Sequence, residues 1–202
     1  ADVGLGQPVA YTDHEAALIA THEAGHAVIA YVVAPHRRLE VLTIIKRKDA
    51  LGMLAHNDTE DVYTRSRTEL LSLIQIAFGG MVAEELFFGE VSTGPSSDLN
   101  YATTVAAQMV GATGMVGSLI NVSAAQGTAN LVGQVISDST SRAALEELLV
   151  AQKEIARQVL VEHRQAVVRL RDALLERHEL VGEEILAVLK DDQIDLRAVP
   201  VL

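Results

Sequence analysis

The chain has 202 residues, enough for one domain of ordinary size or for one domain with a helical appendage. Hydrophobic residues make up 49% of it but aromatic residues only 3%, which favours helices packed closely through small and aliphatic side chains. The formal net charge of −11 argues against a nucleic-acid partner, and the absence of cysteine excludes disulfides and thiolate metal ligands. Any metal must therefore be held by His, Asp or Glu.

The N-terminal residues predict a linker followed by a long helix. Glycines and a proline interrupt residues 1–12, and because the sequence starts at Ala1 without a methionine we expect a fragment or a processed product. Asp13 is the predicted N-cap of a helix that runs to about Val33, just before Pro35. No window of about 18 uncharged apolar residues occurs, so we expect no membrane-spanning segment.

The next segments predict a small β element and a second helix. Leu39–Lys46 is rich in β-branched residues, and Leu51–His56 follows after a short polar turn, which is typical of a hairpin. Ser66 and Glu69 form a capping-box pattern that opens a helix running through Phe88.

Glycines mark the middle of the second helix and the segments after it. The pair Gly79–Gly80 predicts a close approach of another helix, because adjacent glycines weaken a helix. A loop of turn residues then delivers Asp98 to the start of a third helix, expected from Leu99 to about Thr113. Residues 114–137 are rich in Gly, Ser and Asn and predict a mobile loop.

From Asp138 onward the sequence has helical periodicity with Glu, Arg and Leu, broken near His163 and at Gly182, which predicts two or three helices. The expected fold is mainly α, with a small β element near the N-terminal third and a C-terminal helical bundle. The predicted divisions are a linker (1–12), a core (13–137) and a C-terminal helical subdomain packed on the core (138–202).

The stretch THEAGHA, Thr21–Ala27, contains the pattern His-Glu-x-x-His. On a helix this spacing places His22 and His26 on one face, where both can reach a single Zn²⁺ with Glu23 beside the metal. A catalytic zinc site usually has a third protein ligand. The other five histidines are expected to be solvated: His14, His36, His56, His163 and His178.

The third ligand has two sources on chemical grounds. Glu84 and Glu85 lie on the second helix and could otherwise be a solvated helix edge, whereas Asp98 lies at a loop-to-helix junction and could otherwise be a helix cap. Both sources supply hard oxygen donors, and spacing does not decide between them.

THEAGHA followed by FGGMVAEELFFGEVSTGPSSDL resembles the protease domain of the FtsH family of membrane-anchored, ATP-dependent zinc metalloproteases. The resemblance covers nearly the whole chain, including LTII and the EHRQAVVRL tail. It implies that His22, His26 and Asp98 bind zinc and that Glu23 is the general base acting on zinc-bound water.

The same resemblance gives Glu84 or Glu85 a supporting place, in which one of them hydrogen-bonds a ligand imidazole. It also implies that a predicted edge strand pairs with an extended peptide substrate. The residues of that strand are Leu51, Gly52, Met53 and Leu54. One departure is DLNYAT, with Tyr101 where the family often has Arg.

The function implied is a zinc endopeptidase domain that hydrolyses unfolded or unfoldase-delivered proteins. The sequence has no Gly-x-x-x-x-Gly-Lys-[Ser/Thr] phosphate loop, so ATP would act only through an AAA ATPase domain outside this chain. The resemblance further implies a homo-hexamer, a soluble chain here, and a full-length protein at a membrane with its protease domain on the cytoplasmic or organelle-interior side. The alternative is a catalytically silent hexamerisation scaffold or adaptor of an AAA protease.

Overall fold

The computed structural model describes residues 11–46, 51–124, 127 and 129–190, so most of the predicted linker lies outside the described residues. The helices are α1 (Asp13–Val33), α2 (Arg67–Phe88), α3 (Ser96–Gly111), α4 (Leu131–Ser137), α5 (Ser139–Glu162), α6 (Arg164–Arg177) and α7 (Gly182–Lys190). The strands are β1 (Arg37–Thr43), β2 (Met53–Asp58) and β3 (Glu179–Val181). The architecture is mainly α with a small antiparallel sheet, as predicted.

Capping boxes open both long helices of the first half. Ser66 and Glu69 cap α2 reciprocally, as the sequence predicted, and α2 ends at Gly89 in the left-handed conformation. For α1 the N-cap is Thr12, which forms a capping box with Glu15. The prediction of Asp13 as N-cap was therefore wrong by one residue, because the capping box places the cap three residues before its Glu.

The sheet has the order β2-β1-β3, and both pairs are antiparallel. The predicted hairpin is present with shifted ends, since β1 starts at Arg37 and ends at Thr43, before the predicted Lys46. Strand β2 runs from Met53 to Asp58, so the prediction that Leu51 and Gly52 belong to it was wrong, because these two residues form a bend just before the strand. A register shift between Leu39 and Val41 interrupts the β1–β2 ladder. Strand β3 was not predicted, because three residues between two helices carry too little pattern to mark a strand.

The region between α3 and α5 is more ordered than the sequence indicated. Residues 114–137 were predicted as a mobile loop, but they contain a 3₁₀ turn (Val122–Ala124) and α4. The side chain of Asn130 caps α4 by accepting a hydrogen bond from the Gly133 backbone N–H. The short apolar segment of α4 was missed because Gly, Ser and Asn dominate its surroundings.

Helices α1 and α2 pack closely through glycine. A Cβ atom on Gly25 would meet the Gly79 carbonyl oxygen, and a Cβ on Gly79 would lie 2.8 Å from the Gly25 carbonyl oxygen. The close helix approach predicted from the glycine pair is confirmed, and Gly25 is explained by the same contact. By length and composition alone both helices are long and apolar enough to cross a membrane, and most of each is buried inside the protein.

The C-terminal helices share the hydrophobic core of the first half. Helix α5 packs against α2, and α6 packs against α1. One cluster of buried side chains includes Ile29 of α1, Ile74 of α2, Leu160 of α5 and Leu170 of α6. This shared core joins α1 and α2 to the C-terminal helices, while the domain boundary at residue 138 stays a prediction.

Candidate active site

Three side chains from α1 and α3 bring ligand atoms together. His22 Nε2 lies 3.0 Å from His26 Nε2 and 3.0 Å from Asp98 Oδ2, and His26 Nε2 lies 3.3 Å from that same Asp98 oxygen. Tetrahedral zinc with bonds of about 2.0–2.2 Å separates its ligand atoms by roughly 3.3 Å. The triangle of donor atoms therefore has the size of one face of a zinc coordination shell.

The hydrogen bonds made by Nδ1 of each histidine determine whether Nε2 of the same ring can bind a metal. His26 Nδ1 lies 2.7 Å from the carbonyl oxygen of Ile76, which can only accept, so Nδ1 carries the proton. His22 Nδ1 lies 3.0 Å from Glu84 Oε1 and donates to it. Nε2 is then the atom of each ring that is available to bind a cation beside the Asp98 carboxylate, and in the metal-free site a proton on His22 Nε2 takes that place through its hydrogen bond to Asp98. Two imidazole nitrogens and a carboxylate oxygen held this closely are stabilised by a cation between them, so the residues fit a zinc ion.

The pKa values of His22 and Asp98 are both shifted by the hydrogen bonds between the imidazoles and the nearby carboxylates. Burial lowers the pKa of His22, but hydrogen bonds to Asp98 and Glu84 outweigh it and raise that pKa to about 10. Burial raises the pKa of Asp98, but the hydrogen bonds to His22 and His26 bring it well below its usual value. The site therefore favours positive charge between the imidazoles and the carboxylate.

Glu84 and Glu85 occupy different environments. Glu84 is buried; it accepts hydrogen bonds from His22 and from the backbone N–H and hydroxyl of Ser92, at 2.8 and 2.9 Å. Burial raises its pKa, but these hydrogen bonds lower it below the usual value. Glu85 instead forms ion pairs with Lys153 and Arg157 of α5. Of the two, only Glu84 contacts the His22 ring, and neither contributes to the triangle of donor atoms.

Glycine also makes room for the His22 ring. A Cβ atom on Gly80 would collide with the imidazole of His22. Gly80 faces the ring while Gly79 faces α1, so the adjacent glycines serve two different contacts. The sequence indicated the helix contact and missed the contact with the ring.

Glu23 lies beside the triangle and under the start of β2. Burial raises its pKa, while the charges of His26 and His22 lower it. A Cβ on Gly52 would lie 2.7 Å from Glu23 Oε1, so the residue just before β2 lies directly against the carboxylate. This arrangement allows Glu23 to exchange a proton with a molecule held between the donor atoms and the strand.

A cleft of about 810 Å³ contains all of these groups. The predicted substrate-strand residues Leu51, Gly52, Met53 and Leu54 line it together with the donor triangle and Glu23. Because β2 is an edge strand of the sheet, no other described strand pairs with its outer side. The backbone groups on that side of β2 are therefore available for pairing with an extended peptide.

Sequence reasoning missed several residues that line the cleft. His56 was expected to be solvated, but it is half-buried and accepts a hydrogen bond from Arg37. The alternation in β2 could have indicated this, since His56 shares a face with Leu54. Tyr101, one turn after Asp98, also lines the cleft.

Comparison with known proteins identifies a peptidase family. The model of Peptidase family M41 matches residues 9–188. The ATP-dependent zinc metalloprotease FtsH of Burkholderia pseudomallei is 37% identical over 194 residues, covering 90% of this chain and 29% of that protein. The ATP-dependent zinc metalloprotease FTSH 11, chloroplastic/mitochondrial, of Arabidopsis thaliana is 36% identical over 180 residues, covering 87% of this chain and 22% of that protein.

The ATP-dependent zinc metalloprotease YME1L of Drosophila melanogaster is 32% identical over 188 residues, covering 90% of this chain and 25% of that protein. The chain spans less than a third of the length of these relatives. Together with a donor set that fits zinc, these similarities support a zinc-dependent protease, and the chain belongs to peptidase family M41.

Proposed function

We propose that this chain is a zinc-dependent endopeptidase domain in which His22, His26 and Asp98 hold the metal and Glu23 is the general base. The observation that carries the proposal is the convergence of three acceptor atoms within 3.3 Å beside a buried carboxylate. When bound, zinc acts as a Lewis acid that acidifies water and polarises the scissile carbonyl.

The protein's own groups then perform the proton transfers and hold the parts in place. Glu23 takes a proton from the attacking water and passes it to the leaving amine. Glu84 fixes the His22 ring through Nδ1, and the Ile76 carbonyl fixes the His26 ring, so both Nε2 lone pairs stay directed at the metal.

The substrate binds as an extended peptide along the outer edge of β2. Main-chain hydrogen bonds to the strand hold the peptide in one orientation over Glu23. Substrates with alternate backbone amides N-methylated should be cleaved more slowly, and Met53→Pro should slow cleavage while zinc stays bound. Cleavage of every methylated peptide at the unmethylated rate would show that the substrate does not pair with the edge of β2.

We also infer the context in which this domain works. The names of the relatives include ATP dependence, which supports delivery of unfolded chains by an ATPase domain outside this sequence. By the same family relationship we propose a homo-hexameric assembly and a location at a membrane, with the protease domain on the cytoplasmic or organelle-interior side.

The direct test is cleavage of unfolded casein by the metal-stripped chain, by the zinc-restored chain and by a Glu23→Gln variant. We expect activity only with zinc, and we expect Glu23→Gln to bind zinc but lose at least about 100-fold in turnover, because general base catalysis contributes that much. Zinc binding at one ion per chain without cleavage, under conditions where the assembled protein is present, would favour the silent scaffold. Equal cleavage by Glu23→Gln would remove Glu23 as the base.

A further inference from the structure

The cleft continues past His26 to a wall that the proposed chemistry does not use. Arg37 of β1 and His56 of β2 line this wall. The apolar residues Leu73, Ile76 and Ala77 of α2 line the same cleft. The Arg37 side chain is only 8% exposed, so an acceptor that enters the cleft beside it would meet a charged donor group with little surrounding water.

Only some of the guanidinium N–H groups of Arg37 have hydrogen-bond acceptors in the described part of the protein. Arg37 donates from Nε to His56 Nδ1 at 2.8 Å and from Nη1 to Asp58 Oδ1 at 2.8 Å. Its remaining N–H groups make no hydrogen bond to another residue that the structure describes. Asp58 is also shared, since Arg65 donates to both of its oxygens at 3.3 and 2.7 Å. One carboxylate thus serves two guanidinium groups, and this cluster keeps a net positive charge.

His56 adds a second donor beside Arg37. Because His56 Nδ1 accepts from Arg37, the proton of the neutral ring is on Nε2. Burial, together with the charges of Arg37 and His26, lowers the pKa of His56 to about 4, so the ring is neutral at pH 7. Within the described ranges, Nε2 donates to no other residue. The wall therefore presents one charged donor group and one neutral donor to whatever occupies the cleft.

We propose that Arg37 and His56 form a carboxylate-binding subsite, which makes the protein select peptides with an acidic group on the His26 side of the cleaved bond. The apolar side chains of α2 suit the methylene groups of glutamate, and Arg37 suits its carboxylate. The preference for cleavage rests on the proposed function, whereas binding of the carboxylate does not.

The subsite is a local exception in an acidic protein. The chain carries a net charge of −11, and Glu15 and Asp98 also line the cleft. A peptide carboxylate is attracted by Arg37 only when the two groups are close, since charges in solvent are screened beyond about 8 Å at physiological salt. Selection is therefore expected for one position of the peptide and not for acidic peptides in general.

The test measures binding without turnover. Fluorescein-labelled, C-terminally amidated octapeptides of neutral residues carry a single Glu, Gln or Lys at one position, which is moved along the peptide. They are titrated by fluorescence anisotropy against the zinc-loaded Glu23→Gln variant. We expect Glu to improve affinity over Gln by about tenfold at one position only, the value of a modest charge-assisted hydrogen bond.

Arg37→Gln in the same background should remove this difference. The matched control is Arg38→Gln, because Arg38 is the next residue, is 60% exposed, pairs with Glu40 at 3.0 Å and does not line the cleft. Arg38→Gln should keep the tenfold preference. If Arg37→Gln fails to fold by circular dichroism, Arg37→Lys keeps the charge but loses the fork geometry and should reduce the preference without abolishing it.

Equal affinity for Glu and Gln peptides at every position would overturn the subsite, and so would equal losses in Arg37→Gln and Arg38→Gln. A peptide without Glu but with a free C-terminal carboxylate tells whether a chain end or a side chain is the better source of the acidic group. Cleavage of the Gln peptide by the zinc-loaded unsubstituted chain is measured in parallel. If the Gln peptide is not cleaved, the result would count against the proposed endopeptidase activity and would leave the binding result unaffected.

Discussion

The two histidines of the proposed metal site are held by different parts of the protein. A side chain, Glu84, accepts the Nδ1 proton of His22, and a backbone carbonyl, that of Ile76, accepts the Nδ1 proton of His26. The side-chain partner is itself fixed by Ser92 in the loop before α3. The backbone partner is fixed by α2 as a whole.

This difference predicts unequal sensitivity to mutation. A single substitution can remove the partner of His22, and the loss should act on the metal because Nε2 is then no longer oriented. The partner of His26 persists as long as α2 stays packed on α1 through Gly25 and Gly79. Substitutions on the His22 side should therefore weaken zinc binding selectively, whereas those on the His26 side should act through stability or substrate choice.

The largest effect is expected for Gly80→Ala. The new methyl group would occupy the space of the His22 ring, so the ring must move and its Nε2 leaves the donor triangle. We expect zinc affinity to fall by more than the roughly 10–100-fold that loss of an outer partner costs. Competition with a fluorescent chelator measures the zinc affinity of the variant. Gly89→Ala is the control, because nothing lies within 4 Å of its Cβ position, although its φ of 76° makes alanine cost about 1 kcal/mol of stability. Equal zinc affinities would contradict the assignment of Gly80.

The adjacent pair Glu84 and Glu85 offers an intermediate effect with a built-in control. Glu84→Gln should lower zinc affinity by about 10–100-fold, because the amide holds the His22 imidazole less strongly than the carboxylate does. Glu85→Gln should leave zinc affinity unchanged and cost about 1 kcal/mol or less in unfolding free energy, since its ion pairs with Lys153 and Arg157 are partly exposed. Zinc titration and urea unfolding of both variants give the comparison.

An alanine substitution at Glu84 that kept both zinc affinity and turnover would remove its role in orienting the ring. A loss of zinc in Glu85→Gln equal to that in Glu84→Gln would show that the two carboxylates act through the stability of α2. The pair thus separates an effect on one ring from an effect on the helix.

The smallest effect concerns the pH dependence of stability at the His26 end. The folded-state pKa of His56 is lowered to about 4 from an ordinary 6.5, so the unfolded chain binds more protons between these values. Unfolding free energy should therefore fall as pH drops through this window, and His56→Gln should remove that part of the fall. We expect the stability difference between the two proteins to change by about 1 kcal/mol between pH 7 and 5, discounted for partial exposure.

Urea unfolding of the metal-free proteins at both pH values measures this difference. Gln keeps an acceptor for Arg37 Nε, so the comparison changes the titration more than the hydrogen bond. A difference that does not vary with pH would show that the folded protein tolerates a charged His56.

Much of the fold followed from local patterns. The capping box at Ser66 and Glu69, the glycine pair in α2 and the hairpin are each encoded in a few neighbouring residues, and each is present in the structure. Helix α4 and strand β3 were missed, because short elements depend on the contacts made by their flanks.

The candidate site was accessible to sequence reasoning for a similar reason. His22 and His26 share a helix face through their spacing alone, which any α-helix enforces. Asp98 comes from a separate helix, and periodicity could not choose between it and Glu84 or Glu85; the resemblance to a known family favoured Asp98, and the folded chain brings its carboxylate to the imidazoles.

The sequence by itself therefore determined the long helices, the paired imidazoles and the acidic, cysteine-free donor set, because these depend on composition and short-range spacing. Only the tertiary structure decided that Glu84 lies at His22 while Glu85 pairs with α5, since adjacent residues on a helix point about 100° apart and meet different neighbours. It also decided that Arg37 and His56, far apart in the chain, meet in the cleft, because antiparallel pairing of β1 with β2 brings them to one wall.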